Sequence, residues 1–191
     1  GEPSSLDVLL TGNFTVEAWV KPAALGSEMA IFSMGDEGSS YENKIISAKV
    51  QSGGTIFGRV RGDTGESSDV EVYSSTALTA GQWTHVALVR DYAEDLHLYI
   101  DGVLEDSTSD TAGYVTFSGY ETRLLKLGVT GSSSVVPYHA FFEGSLADVR
   151  FWNTVRSTAE IAGNMGTEVA SDASGLIGHF LLDEGSGVTT S

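Results

Sequence analysis

Between Gln82 and Val103 polar and apolar residues alternate with a period of two, and an Asp-Gly pair interrupts them. Trp83, His85, Ala87 and Val89 fall on one face, with Thr84, Val86, Leu88 and Arg90 on the other. After the polar loop Asp91 to Asp95, Leu96, Leu98 and Ile100 alternate with His97 and Tyr99 as far as Asp101-Gly102. A helix cannot sort this pattern into faces, because its side chains repeat every 3.6 residues and those of a strand every two. Asp-Gly between alternating runs is a strong hairpin signal, since a type I′ turn requires positive φ at both central residues. The segment therefore reads as paired antiparallel strands.

The same period recurs along the chain. Phe14, Val16, Ala18 and Val20 share one face, and Thr15, Glu17, Trp19 and Lys21 the other. Met29 to Phe32, Lys44 to Val50, Thr55 to Val60 and Val70 to Tyr73 follow, with Ser52-Gly53-Gly54 as a turn between the second and third of these. Leu124 to Val129, Ala140 to Trp152 and Leu176 to Leu182 complete about a dozen short strands, the pattern of a sandwich or jelly roll. One helix is expected near 157–164. Ser157-Thr158-Ala159-Glu160 is a capping box ahead of Ile161, and Gly163 is expected to end the helix.

The 191 residues read as one domain, 1–191, since a domain usually takes roughly 100–200 residues. There is no cysteine, so neither disulfides nor cysteine metal sites are available. Both ends read as cuts within a longer protein. Ten Lys and Arg face 26 Asp and Glu, a net charge of −16. That balance argues against nucleic acid and anionic membranes as partners, because both need a basic surface. It suits a soluble secreted protein, or one that collects cations. No stretch approaches the roughly 20 apolar residues of a membrane span.

Three ordered segments resemble a known family. They are Phe14-Thr15-Val16-Glu17-Ala18-Trp19-Val20-Lys21-Pro22; Gly81-Gln82-Trp83-Thr84-His85-Val86-Ala87 with Leu98 to Gly102; and Phe142-Glu143-Gly144 through Asp148-Val149-Arg150-Phe151-Trp152-Asn153 with Ser157 to Ile161. Together, over roughly residues 6 to 187, they resemble the laminin G-like, pentraxin-like branch of the concanavalin A-like lectins and glucanases. The resemblance implies an all-β, antiparallel β-sandwich jelly roll of the concanavalin A-like type. It implies a binding role at an extracellular or cell-surface location, and calcium held on the sandwich.

Catalysis finds little support. Glycoside cleavage on such a sandwich needs two carboxylates flanking the scissile bond at roughly 5–10 Å. The nearest strand-borne candidate, Asp69-Val70-Glu71, lacks a third carboxylate, and Asp183-Glu184 point to opposite faces. The four histidines form no His-x-x-x-His pair, and no Gly-x-Ser-x-Gly elbow or phosphate loop is present. The expectation is a non-catalytic, carbohydrate-binding module, with a structural or protein-binding module as the alternative and a glycan-cleaving enzyme a distant third. Other domains of the same polypeptide are expected partners.

Sugar binding needs aromatic platforms beside planar polar groups. Tyr41, Tyr114, Tyr120 and Tyr138 lie in loops, with Arg123 and His139 near two of them, and the rim preceding Pro137-Tyr138-His139 is the favoured place. Each tyrosine has a plainer reading as a loop anchor. Calcium takes six to eight oxygen ligands. The candidates are Asp36, Glu37, Glu42 and Asn43; Asp63, Glu66 and Asp69; Asp106 and Asp110; and Asp148. Each cluster has a plainer reading as a solvated loop. Asp148 and Arg150, two apart on one strand, read equally as a structural ion pair. Trp83 is expected to pack, His85 to find a buried partner, and Gly144 to admit a bend or bulge. Arg61-Gly62-Asp63 spells an adhesion tripeptide but reads as a strand end and turn.

Overall fold

The computed structural model describes residues 9, 12–36, 44–61, 69–92, 94–113, 123–130 and 139–182. Eleven strands and one helix are found among them: β1 (Phe14–Pro22), β2 (Met29–Asp36), β3 (Lys44–Val50), β4 (Thr55–Arg61), β5 (Asp69–Ala77), β6 (Thr84–Arg90), β7 (Asp95–Ile100), β8 (Val103–Ser109), β9 (Arg123–Leu127), β10 (Gly144–Trp152), α1 (Thr158–Asn164) and β11 (Leu176–Phe180). They form two antiparallel sheets. One runs β11-β10-β1-β6-β7-β8 and the other β5-β4-β3-β2-β9.

The inward faces follow the alternation. Phe14, Val16, Ala18 and Val20 pack with Val86, Leu88, Leu96, Leu98, Val149 and Phe151 of the same sheet against Ile46, Ala48, Ile56, Val60, Val70 and Val72 of the other. The local turn signals hold as well. Asp101 and Gly102 take φ of 48° and 77°, as a type I′ hairpin demands. Ser157 caps α1 with both arms of the capping box present, but the helix continues past Gly163 to Asn164.

The second face of the six-stranded sheet departs from the simple pattern. β6 is buried at all seven positions. Ala87 and Val89 join Tyr99, Ile161 of α1 and Val155 in a small second core. Thr15 and Glu17 are also fully buried, so the chain after β10 covers part of this outer face.

Carboxylates join the two sheets at one edge. β8 ends the six-stranded sheet and β5 ends the other. The Ser75 and Thr76 amides and both hydroxyls donate to Glu105, and the Tyr73 amide donates to Asp106 Oδ2 at 2.8 Å. The Ser75 hydroxyl, then the Thr76 donors, hold the Glu105 carboxyl below its usual value. Because its folded pKa is depressed, this clasp stabilises above the unfolded carboxylate pKa and is lost as pH falls through the folded one. The stability difference between wild type and Glu105→Gln in urea melts is therefore expected to be largest near neutral pH and to shrink below about pH 4.3. A difference that stays constant down to pH 3 would contradict the clasp.

Candidate functional site

Five strand ends meet at one end of the five-stranded sheet. Asp36 pairs with Arg123, Gly35 with Lys44, and Arg61 with Asp69. Across the sheet the row therefore reads Asp69, Arg61, Lys44, Asp36, Arg123, with charges of both signs. Segments 37–43 and 62–68 leave from these ends, and 114–122 arrives at Arg123. The topology thus gathers the attachment points of Tyr41, Tyr114, Tyr120, Glu37, Asn43 and Asp63 at one place. These six residues lie outside the described ones, as do Glu42, Glu66 and Tyr138. Asp36 and Arg123 are placed by backbone register.

Register separates one favoured pair from this group. His139 bridges Thr130, and the Ala30 amide donates to the carbonyl of Ala140. His139 therefore sits near the start of β2, whereas Arg123 sits opposite its end. At about 3.3 Å per residue the two lie roughly 20 Å apart along the chain. His139 and Arg123 therefore stand at opposite ends of β2.

The outward face next to the strand-end row carries aromatics and cations. Lys49, Phe57 and Tyr73 are consecutive partners across β3, β4 and β5. They stand on the outward face because Val50, Ile56 and Val72, their neighbours in sequence, are in the core, although Phe57 is itself covered to 8% exposure. The Phe57 and Tyr73 rings lie 5.2 Å apart, with Lys49 Nζ 5.6 Å and Arg59 Cζ 5.9 Å from the Phe57 centroid. Tyr73 is 45% exposed. Its hydroxyl donates to Glu71 at 2.6 Å, and that bond, helped by burial, pushes its pKa up to about 12. Six of the ten Lys and Arg stand on the strands of this sheet: Lys44, Lys49, Arg59, Arg61, Arg123 and Lys126. In a chain of net charge −16 this sheet thus carries most of the basic residues.

Four of the acidic candidates, Asp69, Asp106, Asp110 and Asp148, are already engaged. Asp69 accepts two hydrogen bonds from Arg61 at 2.8 Å and one from Arg59 at 3.4 Å. Asp106 binds backbone amides of Tyr73 and Ser107. Asp110 is buried under Arg90, whose Nε donates at 2.6 Å. Asp148 is gripped by Arg150 and His179. No three His, Asp or Glu side chains among the described residues form a metal-holding group. These residues therefore do not fit a calcium site as they stand. Arg61, the first residue of the adhesion tripeptide, points its guanidinium at Asp69.

The outer face of the six-stranded sheet carries the second polar centre. Buried Glu17 is approached by Arg156 Nε at 3.2 Å, His85 Nε2 at 3.6 Å and Arg150 Nη1 at 3.9 Å. None of these is aligned as a hydrogen bond, so Glu17 is held by charge. Arg150 donates to Asp148 twice and to the carbonyls of Asn164 and Thr167. Trp19 Nε1 donates to the Met165 carbonyl at 2.6 Å. The ion-pair reading of Asp148 and Arg150 is thus the one found. His85 is buried, but its Nδ1 has no hydrogen-bond partner among the described residues and its Nε2 stands 3.6 Å from Glu17, a correction to the hydrogen-bonded position expected for it; Trp83 is 42% exposed, a correction to the packed position expected for it. It precedes β6, and Lys21 Nζ lies 5.0 Å from its ring centroid. Trp19, Trp83, Glu168 and His179 were not singled out as site residues. Two tryptophans on the polar face of alternating strands were the available signal.

Residues 3–162 match the laminin G family model described as the concanavalin A-like lectin/glucanases superfamily. No curated protein matches in sequence. Among solved structures, a candidate carbohydrate-binding protein from Bacteroides ovatus is similar at 19% identity and TM-score 0.68, over 94% of this chain and 48% of that one. The chain therefore spans about half of that protein's length. The CBM40 module of the Ruminococcus gnavus IT-sialidase is similar at 17% identity and TM-score 0.71, over 86% of this chain and 89% of that one. A heptameric SAP-like pentraxin from Limulus polyphemus follows at 16% and 0.59, over 80% and 69%. At these identities the likeness is one of fold.

Proposed function

Because the chain belongs to the concanavalin A-like lectin/glucanase superfamily, we propose that it is a carbohydrate-binding module whose site is the outward face and converging end of the five-stranded sheet. The observation that carries this reading is the Phe57–Tyr73 pair flanked by Lys49 and Arg59, next to the charged strand-end row. An aromatic face covers the apolar side of a sugar ring, and guanidinium and ammonium groups donate to its oxygens. The CBM40 module similar to this chain is also known bound to α2,3-sialyllactose, which supports a glycan as the ligand class. A glycan-binding role fits a location outside the cell or at its surface.

Tyr73→Ala is expected to weaken the best ligand on a glycan array by about tenfold, ~1.4 kcal/mol. Tyr114→Ala and Tyr138→Ala probe the two loops that enter and leave β9. If all three variants bind every glycan as the wild type does, this site is wrong. Calcium rests on Glu37, Asn43 and Asp63, with Asp36 at the strand end. Array binding in calcium and then in chelator tests it: loss in chelator supports the ion, and unchanged binding removes it.

A second reading has its own observation. Phe180, Leu181 and Leu182 are exposed apolar residues at the end of β11, an edge strand. That favours a protein-binding or structural module. A wild type that binds no glycan on the array would leave this reading standing.

A further inference from the structure

The opposite face of the sandwich carries a second cavity system, independent of the site proposed above. Trp19, Trp83 and Ala147 line an apolar groove of about 330 Å³. A polar hollow of about 320 Å³ adjoins it, sharing Trp19 and lined also by Asp148, Arg150, Thr167, Glu168 and His179. Both volumes sit at the lower end of the range for ligand pockets, roughly 300–1,000 Å³. The register explains the join: Trp19 faces Ala147 on one side and His85 on the other, and the pairing of β1 with β10 slips beside Asp148. Asp148 takes φ of 50°, a left-handed conformation that aspartate adopts more readily than most residues and that accompanies the slip.

The donors and acceptors define what can enter. Arg150 is 1% exposed, and its hydrogen bonds run to Asp148, the Asn164 carbonyl and the Thr167 carbonyl. It has no fork to offer a ligand carboxylate. His179 Nε2 is committed to Asp148 Oδ1 at 2.7 Å. Asp148 Oδ2 takes one hydrogen bond from Arg150, so one of its lone pairs remains. Glu168 is exposed. The hollow thus presents acceptors, and the groove beside it presents indole rings. In the hollow an anion would meet Asp148 and Glu168 without a free cation among the lining residues, and the one cation beside the groove, Lys21, lies against the Trp83 ring. The matching ligand brings hydroxyl donors on one part and an apolar C–H face on another.

We propose that this groove and hollow bind an uncharged pyranose chain, with one ring on Trp83 and Trp19 and the hydroxyls of the next on Asp148 and Glu168. The ligand class differs from that of the cation-rich sheet opposite, which can accept acidic sugars.

The test follows the three indole N–H resonances of Trp19, Trp83 and Trp152 while the protein is titrated with cellotetraose, mannotetraose, xylotetraose and laminaritetraose at millimolar concentration. 3′-Sialyllactose serves as the anionic probe. At least one neutral tetrasaccharide is expected to shift the Trp19 and Trp83 signals. Trp83→Ala should weaken that binding at least tenfold, whereas Tyr73→Ala should leave it unchanged. Trp83 is exposed and outside the strands, so the variant keeps the fold, and Trp83→Phe should restore part of the affinity. The proposal is overturned if no neutral probe moves these signals, if Trp83→Ala binds like wild type, or if 3′-sialyllactose binds the groove as tightly as the neutral chains. Loss of binding in Tyr73→Ala alone would assign the ligand to the opposite face and overturn it too.

Discussion

Arg150→Ala is expected to cost about 3–5 kcal/mol in urea denaturation, the range for removing one partner of a buried ionic group. The side chain is 1% exposed, and everything around it depends on its charge. Glu17 would keep Arg156 and His85 as neighbours but lose the Arg150 charge. Asp148 would lose both guanidinium bonds and the carbonyls of Asn164 and Thr167 their donor. The last two bonds tie the segment after α1 to β10, so that segment should also become protease-sensitive. For a chain of this size, 1 kcal/mol moves the melting midpoint by roughly 2–4 °C, which predicts a fall on the order of 10 °C. Arg150→Lys keeps the charge without the fork and should recover only part of the loss. The double variant Glu17→Gln/Arg150→Met separates charge from packing. It removes the Glu17–Arg150 contact as a unit but leaves Asp148 without Arg150 and Arg156 without Glu17, so it should be more stable than the sum of its single changes implies yet still less stable than the wild type. A single-variant cost below about 1 kcal/mol would show that the network contributes little beyond filling space.

Gly144→Ala should be nearly as damaging, for a reason that lies in the backbone. Gly144 has φ of 153°, and a Cβ there would meet the Lys21 carbonyl oxygen, with Ala23 N and Pro22 Cα both 2.9 Å away. Those atoms cannot move aside, because the Ala23 amide already donates to the Glu143 carbonyl at 2.8 Å and Pro22 pairs with Gly144. Strained φ costs on the order of 1–3 kcal/mol and overpacking a similar amount, so about 3 kcal/mol or more is expected. Gly163→Ala is the control. Nothing stands within 4 Å of the Cβ it would add, and the residue is helical. It should be neutral or slightly stabilising, by a few tenths to about 1 kcal/mol. Equal melting curves for the two variants would remove the argument about Gly144.

The features legible in the sequence were the local ones. The strands, the Asp101-Gly102 hairpin and the capping box at Ser157 each depend on a handful of neighbouring residues, and each stands where expected. The resemblance of the three ordered segments agrees with the family match over residues 3–162. What escaped was non-local. Thr15 and Glu17 alternate like solvent-facing residues, yet both are buried, because a segment more than 130 residues later folds over them: Thr15 donates to the Thr154 carbonyl at 2.9 Å. The separation of Arg123 from His139 was equally invisible, because sequence proximity says nothing of register, and the two stand at opposite ends of β2. The convergence of the Asp36, Asp69 and Arg123 ends came from the order β5-β4-β3-β2-β9, which no motif announces. Trp83 was misread because the strand begins one residue after it, and boundaries are the weakest part of any pattern reading.

The pairing of β1 with both β6 and β10 bears on how the protein is made. β1 leaves the ribosome early, but Trp152, the partner of Thr15, emerges about 130 residues after Pro22. At 5–20 residues per second that is a delay of roughly 7–25 s. Throughout it, one flank of a nine-residue strand with buried Phe14 and Val16 has no native neighbour and can pair with another nascent chain instead. Slowing translation late in the chain should therefore lower the soluble yield more than slowing it before β1.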